Sequence, residues 1–423
     1  MEDTKAKKTN VDLYTRYKTF SWDLFFYYAI IFLFFTETKG ISAADVLLAE
    51  STYPIFKIIF LIPATVLINS LGKRMSLIIG NSFIAIAIFT YIMGNNFWYI
   101  ILGELLSAIG FIIKGICESN ILYDSLEKNE KRGILFARIE GKGTSYYYYI
   151  DAISSVLAGI LFAINGYIPM CLCLITSIFS IYLAAKFKDI DKRQKINLSN
   201  VKNDFIDLKN SFKLFSKSPR LKYLLFFGAL IWATLLSITM LRSGVMQEIG
   251  IPSGYFGVIF AIMGLISGIS ARNEQRFHKR YRNKTLGKLA LPLVFSFIIL
   301  GIVCSSGAPY AIKVIVVLLL FGVQYIVKGP FYPLIRQYLN NFTTTKLRTK
   351  ISSSFNLLEN ILRFIITFTA STLLRFTTTA NTFTILGCIL GLIVVLTLDG
   401  MRTRVGLKPE EYTEKDTNIM NLQ

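Results

Sequence analysis

The sequence predicts an all-α integral membrane protein with twelve transmembrane helices in two pseudo-symmetric six-helix halves. Its 423 residues are 53% hydrophobic and only 17% charged, which leaves too little polar surface for a soluble domain. Most of the 46 Lys and Arg residues fall in clusters, and the apolar sequence between consecutive clusters is long enough to cross a bilayer twice. Because basic residues collect on the cytoplasmic side, this alternation predicts an even number of spans.

The basic clusters determine the predicted orientation. They occur at Lys5–Lys18, Lys73–Arg74, Lys128–Lys142, Lys186–Lys222, Arg272–Lys288, Arg336–Lys350 and Arg402–Lys415. If all of them face the cytoplasm, both termini are cytoplasmic and the chain is a multi-pass protein of the cell (inner, cytoplasmic) membrane. The formal charge of +20 then needs no nucleic-acid partner, because no folded polar face is available to bind one.

Windows of about 20 mostly apolar residues predict six spans in each half. The spans of the first half are Phe20–Thr38, Ala44–Asn69, Ser76–Met93, Phe97–Leu122, Leu135–Ile164 and Tyr167–Ala185. The spans of the second half are Leu221–Leu241, Tyr255–Ala271, Leu286–Cys304, Ala311–Leu339, Ile351–Leu374 and Thr382–Leu398.

These spans divide the chain into five predicted segments: a cytoplasmic N-terminal tail (1–19), a first half (20–187), a cytoplasmic linker (188–220), a second half (221–399) and a cytoplasmic C-terminal tail (400–423). Within the linker, Val201–Phe212 carries apolar residues at helical spacing, which predicts an amphipathic helix on the inner membrane surface. The halves resemble an internal repeat, because Arg138, at the start of the fifth span, and Arg348, just before the eleventh, are 210 residues apart. Parallel six-helix repeats with a site between them are typical of transporters.

Several chemistries are excluded by the residue inventory. All five cysteines lie inside apolar runs, which favours packing over disulfides or metal binding. The single histidine, His278, lies in a basic loop, so no His-based centre is predicted. The nearest approach to a phosphate-binding loop, Gly141–Thr144, lacks the upstream glycine. We therefore predict no enzyme activity, no metal and no cofactor.

Ionisable and polar residues inside the predicted spans are the candidates for a substrate cavity or proton coupling, because such groups are costly in a bilayer. In the fourth span, Lys114 and Glu118 are one turn apart and can pair. In the eleventh span, Glu359 precedes Arg363 by four residues, the favourable order for a helical ion pair. The full candidate set is Tyr28, Lys57, Glu104, Lys114, Glu118, Asp151, Gln324, Lys328, Asn356, Glu359, Asn360 and Arg363.

Simpler structural roles compete with this interpretation. In the competing interpretation, each ion pair only fixes helix packing, and the aromatic run before Asp151 only packs in the core. Glu37, Arg242 and Arg375 lie near span ends, where snorkelling to the membrane interface is the favoured interpretation.

Two motifs resemble a known family. The run E-S-N-I-L-Y-D-S-L (Glu118–Leu126), followed by F-A-R-I (Phe136–Ile139), is similar to the E-A-L-x-Y-D-S-L and G-R-I stretches of bacterial drug-efflux-like members of the major facilitator superfamily. The resemblance implies secondary transport by alternating access. It also implies a cytoplasmic gate or latch, whose residues here would be Asn69, Gly72, Lys73, Arg74, Asp124 and Arg138.

The sequence departs from the family pattern at three places. Asn69 stands where the family carries an Asp, Glu104 stands where many relatives carry an Arg, and the fifth span lacks the Gly-Pro signature of drug/proton antiporters. An Asn still forms hydrogen bonds but loses their charge-assisted part. These departures weigh against multidrug export driven by protons.

The leading prediction is a monomeric secondary transporter that exports a small amphipathic solute in exchange for protons across the lipid bilayer. Asp151 and Glu118 are its candidate proton carriers, because a desolvated carboxylate binds a proton more readily than an exposed one. The alternatives are an uptake symporter for a polar nutrient and a transporter-like receptor or assembly factor that moves no solute.

Overall fold

A computed structural model describes residues 2–127, 132–190, 219–281, 284–341 and 345–404. These residues are almost entirely helical, with no β-strand among them, which confirms the all-α prediction. By their internal contacts they separate into two compact units. Of the described residues, the first unit comprises those up to 190 together with 253–258, and the second comprises 219–252 and those from 259 to 404.

The first unit contains seven helices. They are α1 (Glu2–Ser21), α2 (Ile31–Leu33), which continues into a π-turn over Phe34–Thr38, α3 (Ala43–Leu71), α4 (Lys73–Met93), α5 (Phe97–Ser125), α6 (Arg132–Ile164) and α7 (Tyr167–Ala185). A short 3₁₀ turn, Ser253–Tyr255, packs against α6.

The second unit contains the remaining helices. They are α8 (Pro219–Glu248), α9 (Phe256–Arg272), whose first residues belong to the first unit, α10 (Glu274–Tyr281), α11 (Thr285–Ser305), α12 (Tyr310–Asn341), α13 (Thr345–Leu374) and α14 (Thr379–Arg404). Helix α8 packs against α12, α13 and α14, and α11 packs against α12 and α14.

Eleven helices of the described chain are long and apolar enough to cross a membrane, namely α3–α9 and α11–α14. They correspond to eleven of the twelve predicted spans. The predicted amphipathic helix in the linker, Val201–Phe212, lies outside the described residues, as does residue 405 onward in the C-terminal tail.

The first predicted span, Phe20–Thr38, is not a continuous helix. Helix α1 ends at Ser21, and the chain is irregular from Trp22 to Ile30, where Phe26 adopts a left-handed φ of 60°. The Asp23 side chain accepts a hydrogen bond of 2.9 Å from the Leu24 amide. Such a local side-chain bond competes with the helical ladder, and hydropathy alone does not reveal it.

The residues expected to form a cytoplasmic tail are part of α1, which packs against α5, α6 and α7. Asn10 is fully buried at the end of this contact. Its side chain accepts from the Lys188 amide at 2.8 Å and donates to the Lys188 carbonyl at 3.1 Å. This two-way bond attaches α1 to the first residues after α7.

Close helix contacts in the first unit depend on glycine. Gly80 of α4 and Gly110 of α5 face each other, and a Cβ on Gly110 would lie 2.7 Å from the Gly80 carbonyl oxygen. Small residues at such crossings let helix backbones approach, which is how helices associate in a bilayer. Gly72 joins α3 to α4 with a φ of +82°, a conformation that other residues rarely adopt.

Candidate functional site

A buried ion cluster joins α1, α5 and α6, and we call its four residues the Lys18 cluster: Tyr14, Lys18, Glu118 and Glu140. Lys18 is 1% exposed and Glu118 2% exposed. The Lys18 ammonium contacts the Glu118 carboxylate and lies 2.7 Å from Oε1 of Glu140. The Tyr14 hydroxyl donates to the other oxygen of Glu140. One lysine therefore holds two carboxylates inside the protein.

The local sequence explains this geometry. Tyr14 and Lys18 are four residues apart and share one face of α1. Gly143 lies almost one turn beyond Glu140 on α6, and a Cβ there would lie 2.6 Å from the Lys18 Cβ. The absent side chain lets α1 approach α6. Burial, followed by the charges of Glu118 and Glu140, raises the pKa of Tyr14, so this hydroxyl keeps its proton and remains a donor.

A second group of side chains surrounds the irregular segment after α1, and we call it the Asp23 cluster: Asp23, Tyr28, Lys57, Lys114 and Asp151. The Tyr28 hydroxyl donates to Asp23 at 2.8 Å. The Lys114 ammonium donates to the Trp22 carbonyl at 3.2 Å and interacts electrostatically with Glu118 and Asp23. Irregular backbone at membrane depth occurs where protein groups or a cavity satisfy it, and Lys114 does so here.

The other members reach Asp23 through space. Lys57, on α3 between Pro54 and Pro63, and Asp151 each interact electrostatically with Asp23. Asp151 also makes a hydrogen bond with Tyr147.

The structure thus gathers five predicted candidates around the first span: Tyr28, Lys57, Lys114, Glu118 and Asp151. It differs from the predicted pairing on α5, because the ion-pair partner of Glu118 is Lys18 rather than Lys114.

Glu104 lies apart from both clusters. It is buried on α5 and accepts a hydrogen bond of 2.9 Å from Tyr91 of α4. Fourteen residues of helix separate it from Glu118, which is about 21 Å along the axis. Glu104 is therefore held by a neutral phenol at a different depth.

Some of the residues that are predicted to form a cytoplasmic gate contact one another. Lys73 pairs with Asp124 at 2.7 Å, and Arg132 approaches the same carboxylate at 3.6 Å. Arg74 instead lies 3.6 Å from Asp189 and donates to the Ala185 carbonyl at 2.9 Å.

Two gate candidates stand outside this group. Asn69 and Arg138 are both exposed. Arg132, not Arg138, approaches Asp124.

In the second unit, Gln324 of α12 is fully buried beside Arg242 of α8. Nε of Arg242 donates to Oε1 of Gln324 at 2.8 Å, and the guanidinium lies 4.6 Å from the ring centroid of Tyr325. The Lys328 ammonium lies 5.3 Å from the same ring. Snorkelling of Arg242 to the interface is the wrong expectation, because this residue is 0% exposed. The position of Arg242 near a span end does not indicate whether its face of the helix meets lipid or packs against another helix.

The predicted polar stripe of the eleventh span lies on α13. Asn360 is buried and donates to the Asn356 carbonyl at 2.7 Å, whereas Asn356 itself is exposed. Ser237 of α8 donates to the Arg363 carbonyl at 3.5 Å. Glu359 is half-buried. The Glu359–Arg363 pair remains a prediction.

Four charged residues of the Lys18 cluster, the Asp23 cluster and the α8–α12 contact are not among the predicted candidates: Lys18, Asp23, Glu140 and Arg242. Lys18 and Glu140 lie within basic clusters, where charge signals a cytoplasmic loop rather than a buried contact. Asp23 carries a usable signal, because it is a carboxylate inside a predicted span. Among the described residues, no group of three or more His, Cys, Asp or Glu side chains could hold a metal ion.

Sequence comparison with a family model shows which family this chain belongs to. The model of the Major Facilitator Superfamily matches residues 19–367. The chain belongs to this superfamily, whose members are membrane transporters of small solutes. The narrower resemblance to drug-efflux members remains a prediction. A comparison with curated protein sequences found no match.

Solved structures support the same fold. The chain is similar to the nucleoside transporter NupG, with a TM-score of 0.68 and 13% identity over 95% of this chain and 100% of that chain. The peptide transporter POT in complex with sulfate gives a TM-score of 0.67 and 14% identity, covering 95% of each chain. The D-xylose-proton symporter gives a TM-score of 0.63 and 14% identity, covering 93% of this chain and 96% of that chain. At such identities the likeness shows the fold alone.

Proposed function

We propose that the protein is a secondary transporter that couples the movement of a small polar solute to the movement of protons. The observation that carries the proposal is the concentration of carboxylates and lysines around the first span. Lys18, Glu118 and Lys114 are all buried, and Asp23 and Asp151 interact with one another nearby. Ionisable groups inside a membrane protein are costly, so they usually pair with one another, and they commonly mark ion or substrate pathways.

Asp151 and Glu118 are the proposed proton carriers. Asp151 shares its cluster with the like charge of Asp23, so protonation of Asp151 removes one of two neighbouring negative charges. Glu118 is linked to the same cluster through Lys114. Each proton that crosses with the membrane potential contributes about 2.3 kcal/mol per 100 mV, enough to drive useful accumulation of a solute.

The test uses full-length protein in liposomes that contain the pH-sensitive dye pyranine. A panel of dipeptides, nucleosides, pentoses and amino acids is added outside, and proton flux is followed for each. We expect at least one class to drive proton movement, and Asp151→Asn to reduce that movement by at least tenfold. Asp12→Asn is the matched control, because Asp12 is exposed and belongs to neither cluster. If Asp151→Asn and Glu118→Gln both keep the full dependence on the pH gradient, the assignment is wrong.

The proposal also includes the direction of solute transport. The charged side chains of both clusters favour a polar solute, and so favour uptake over the export of an amphipathic compound that the family resemblance implies. Transport of the active labelled solute into right-side-out and inverted vesicles separates the two. Accumulation in right-side-out vesicles with an inward proton gradient supports uptake, whereas accumulation only in inverted vesicles supports export.

A further inference from the structure

The second unit contains a buried cation whose charge is not balanced. Arg242 of α8 is fully buried, and Gln324 and Tyr325 of α12 hold it from one side. No carboxylate of the described residues lies within ion-pair distance of the Arg242 guanidinium. An arginine keeps its proton in proteins, so it cannot escape this cost by becoming neutral.

Three nitrogen atoms of this site, which together carry six N–H bonds, also lack a well-placed acceptor among the described residues. Nη1 and Nη2 of Arg242 and Nε2 of Gln324 are buried and have no well-formed hydrogen bond with the described residues; the Tyr325 hydroxyl is the group that interacts with the guanidinium electrostatically. The amide of Gln324 is fixed through its oxygen on Nε of Arg242, which keeps Nε2 close to the guanidinium. Buried donors without acceptors cost about 1–3 kcal/mol each, and buried charges cost more, so native proteins rarely keep such a group without a use.

We infer that Arg242, Gln324 and Tyr325 form a binding site for the carboxylate of the transported solute. This inference rests on the proposed transport function and names a chemical class for its substrate. The planar fork of a guanidinium matches the two oxygens of a carboxylate, and the Gln324 amide adds a further donor. The centroid of the Tyr325 ring lies 4.6 Å from the guanidinium, so an aromatic side chain borders the proposed carboxylate position.

The charge of the site favours a monoanion over phosphate. One guanidinium balances one carboxylate, whereas a phosphate dianion would leave a negative charge in a buried place. Lys328 is nearby, with its ammonium 5.3 Å from the Tyr325 ring, but it has interactions of its own.

The probes are benzoate, its neutral analogue benzamide, and inorganic phosphate. Each is titrated into purified full-length protein in lipid nanodiscs, with binding measured by calorimetry and by thermal unfolding. We expect benzoate to bind and to raise the unfolding temperature, and benzamide to bind at least tenfold more weakly. Arg242→Gln should weaken benzoate binding at least tenfold. Arg375→Gln, which removes an exposed arginine at the end of α13, should leave binding unchanged.

A second variant protects the test against a folding defect in Arg242→Gln. Gln324→Glu places a carboxylate on the guanidinium itself, so it should fold normally and exclude benzoate. The inference is overturned if no anion binds, if benzamide or phosphate binds as well as benzoate, or if benzoate binding survives in both variants. The binding measurements need no proton gradient. A negative binding result can therefore be distinguished from a negative result in the pyranine assay, which tests proton-coupled transport.

Discussion

Lys18 illustrates how a single residue changes its role when the chain folds. In the sequence it ends a run of cytoplasmic charge, but in the structure it is buried between Glu118 and Glu140. Removing the cation would leave two carboxylates without their partner in a region of low polarity. Breaking a buried ion pair from one side costs about 3–5 kcal/mol.

We therefore expect Lys18→Gln to lower the free energy of unfolding by about 3–5 kcal/mol, measured by thermal unfolding of the purified protein. Lys8→Gln, on an exposed position of the same helix, should change it by less than about 0.5 kcal/mol. The double variant Lys18→Gln/Glu118→Gln should recover part of the loss, because one unpaired charge disappears with its partner. Equal stability of the Lys18 and Lys8 variants would contradict a buried cluster.

For Glu104, in contrast to Lys18, we expect removal of the charge to have little effect on stability. Its partner is the Tyr91 hydroxyl, and a Gln oxygen can accept the same hydrogen bond. Glu104→Gln should keep the wild-type unfolding temperature within a few degrees. Glu104→Ala should lower the free energy of unfolding by about 1–3 kcal/mol, because it leaves an unsatisfied phenol and a cavity. A large loss in Glu104→Gln would show that the charge itself is required.

The sequence predicts some of these residues and not others for a physical reason. An ionisable or amide group in the middle of an apolar run is costly, so Lys114, Glu118 and Gln324 are recognisable from their positions in the chain. The fate of a charge near a span end depends on whether its helix face meets lipid headgroups or another helix. Arg242 meets Gln324 and Tyr325, and no spacing in the sequence indicates that.

At the scale of elements, the main departure is the break in the first span. Hydropathy predicts a continuous helix over Phe20–Thr38, because apolar and aromatic residues fill that window. The carboxylate of Asp23 bonds to the chain beside it, and Phe26 takes a left-handed conformation. The other eleven predicted spans are helices in the structure, and their long apolar windows are sufficient to predict them.

The break can be tested with two substitutions at one position. A left-handed φ is about 1–2 kcal/mol more costly for alanine than for glycine. Phe26→Gly should therefore be more stable than Phe26→Ala, measured as the difference between their unfolding temperatures. In a continuous helix the order is reversed, because glycine is about 0.5–1 kcal/mol worse than alanine there. The sign of the difference thus distinguishes the two forms of the first span.

Asn10 gives a second prediction at this scale. Its amide binds both backbone groups of Lys188 and so holds α1 against the chain after α7. In Asn10→Ala the Lys188 amide loses its acceptor, and its hydrogen exchange should become at least tenfold faster by mass spectrometry of the peptide that contains it. Thr9→Ala, which removes only an exposed bond to Lys5, is the control. Unchanged exchange in Asn10→Ala would exclude this attachment.

At the scale of the whole molecule, the distribution of basic residues predicts the orientation of every loop. The orientation can be measured in a background in which the five cysteines are replaced by alanine. Gly307→Cys lies in a predicted outer loop with open space around its backbone. Glu127→Cys lies in a predicted inner loop. A membrane-impermeant maleimide should label the first in intact cells and the second only after permeabilisation. The reverse pattern would invert the predicted topology.

The two units also differ in the charges of their interiors. The first unit places several carboxylates near lysines, whereas the second places Arg242 where no described carboxylate balances it. The class of fold and eleven of the twelve spans are predictable from composition, because lipid exposure requires apolar helices throughout. The distribution of charge between the units cannot be predicted from composition, because it depends on which polar residues contact one another across helices.

The Lys18 cluster has a consequence for how the protein is made. Tyr14 and Lys18 leave the ribosome long before their partners, and 126 residues separate Tyr14 from Glu140. At about 5–20 residues per second, α1 must wait roughly 6–25 s for α6 to be synthesised. During that interval the first segment, with its buried lysine and its broken helix, has no stable place in the bilayer. We expect it to stay at the membrane surface or against an insertion factor until α5 and α6 arrive, so the N-terminal helix would be among the last elements of its unit to settle.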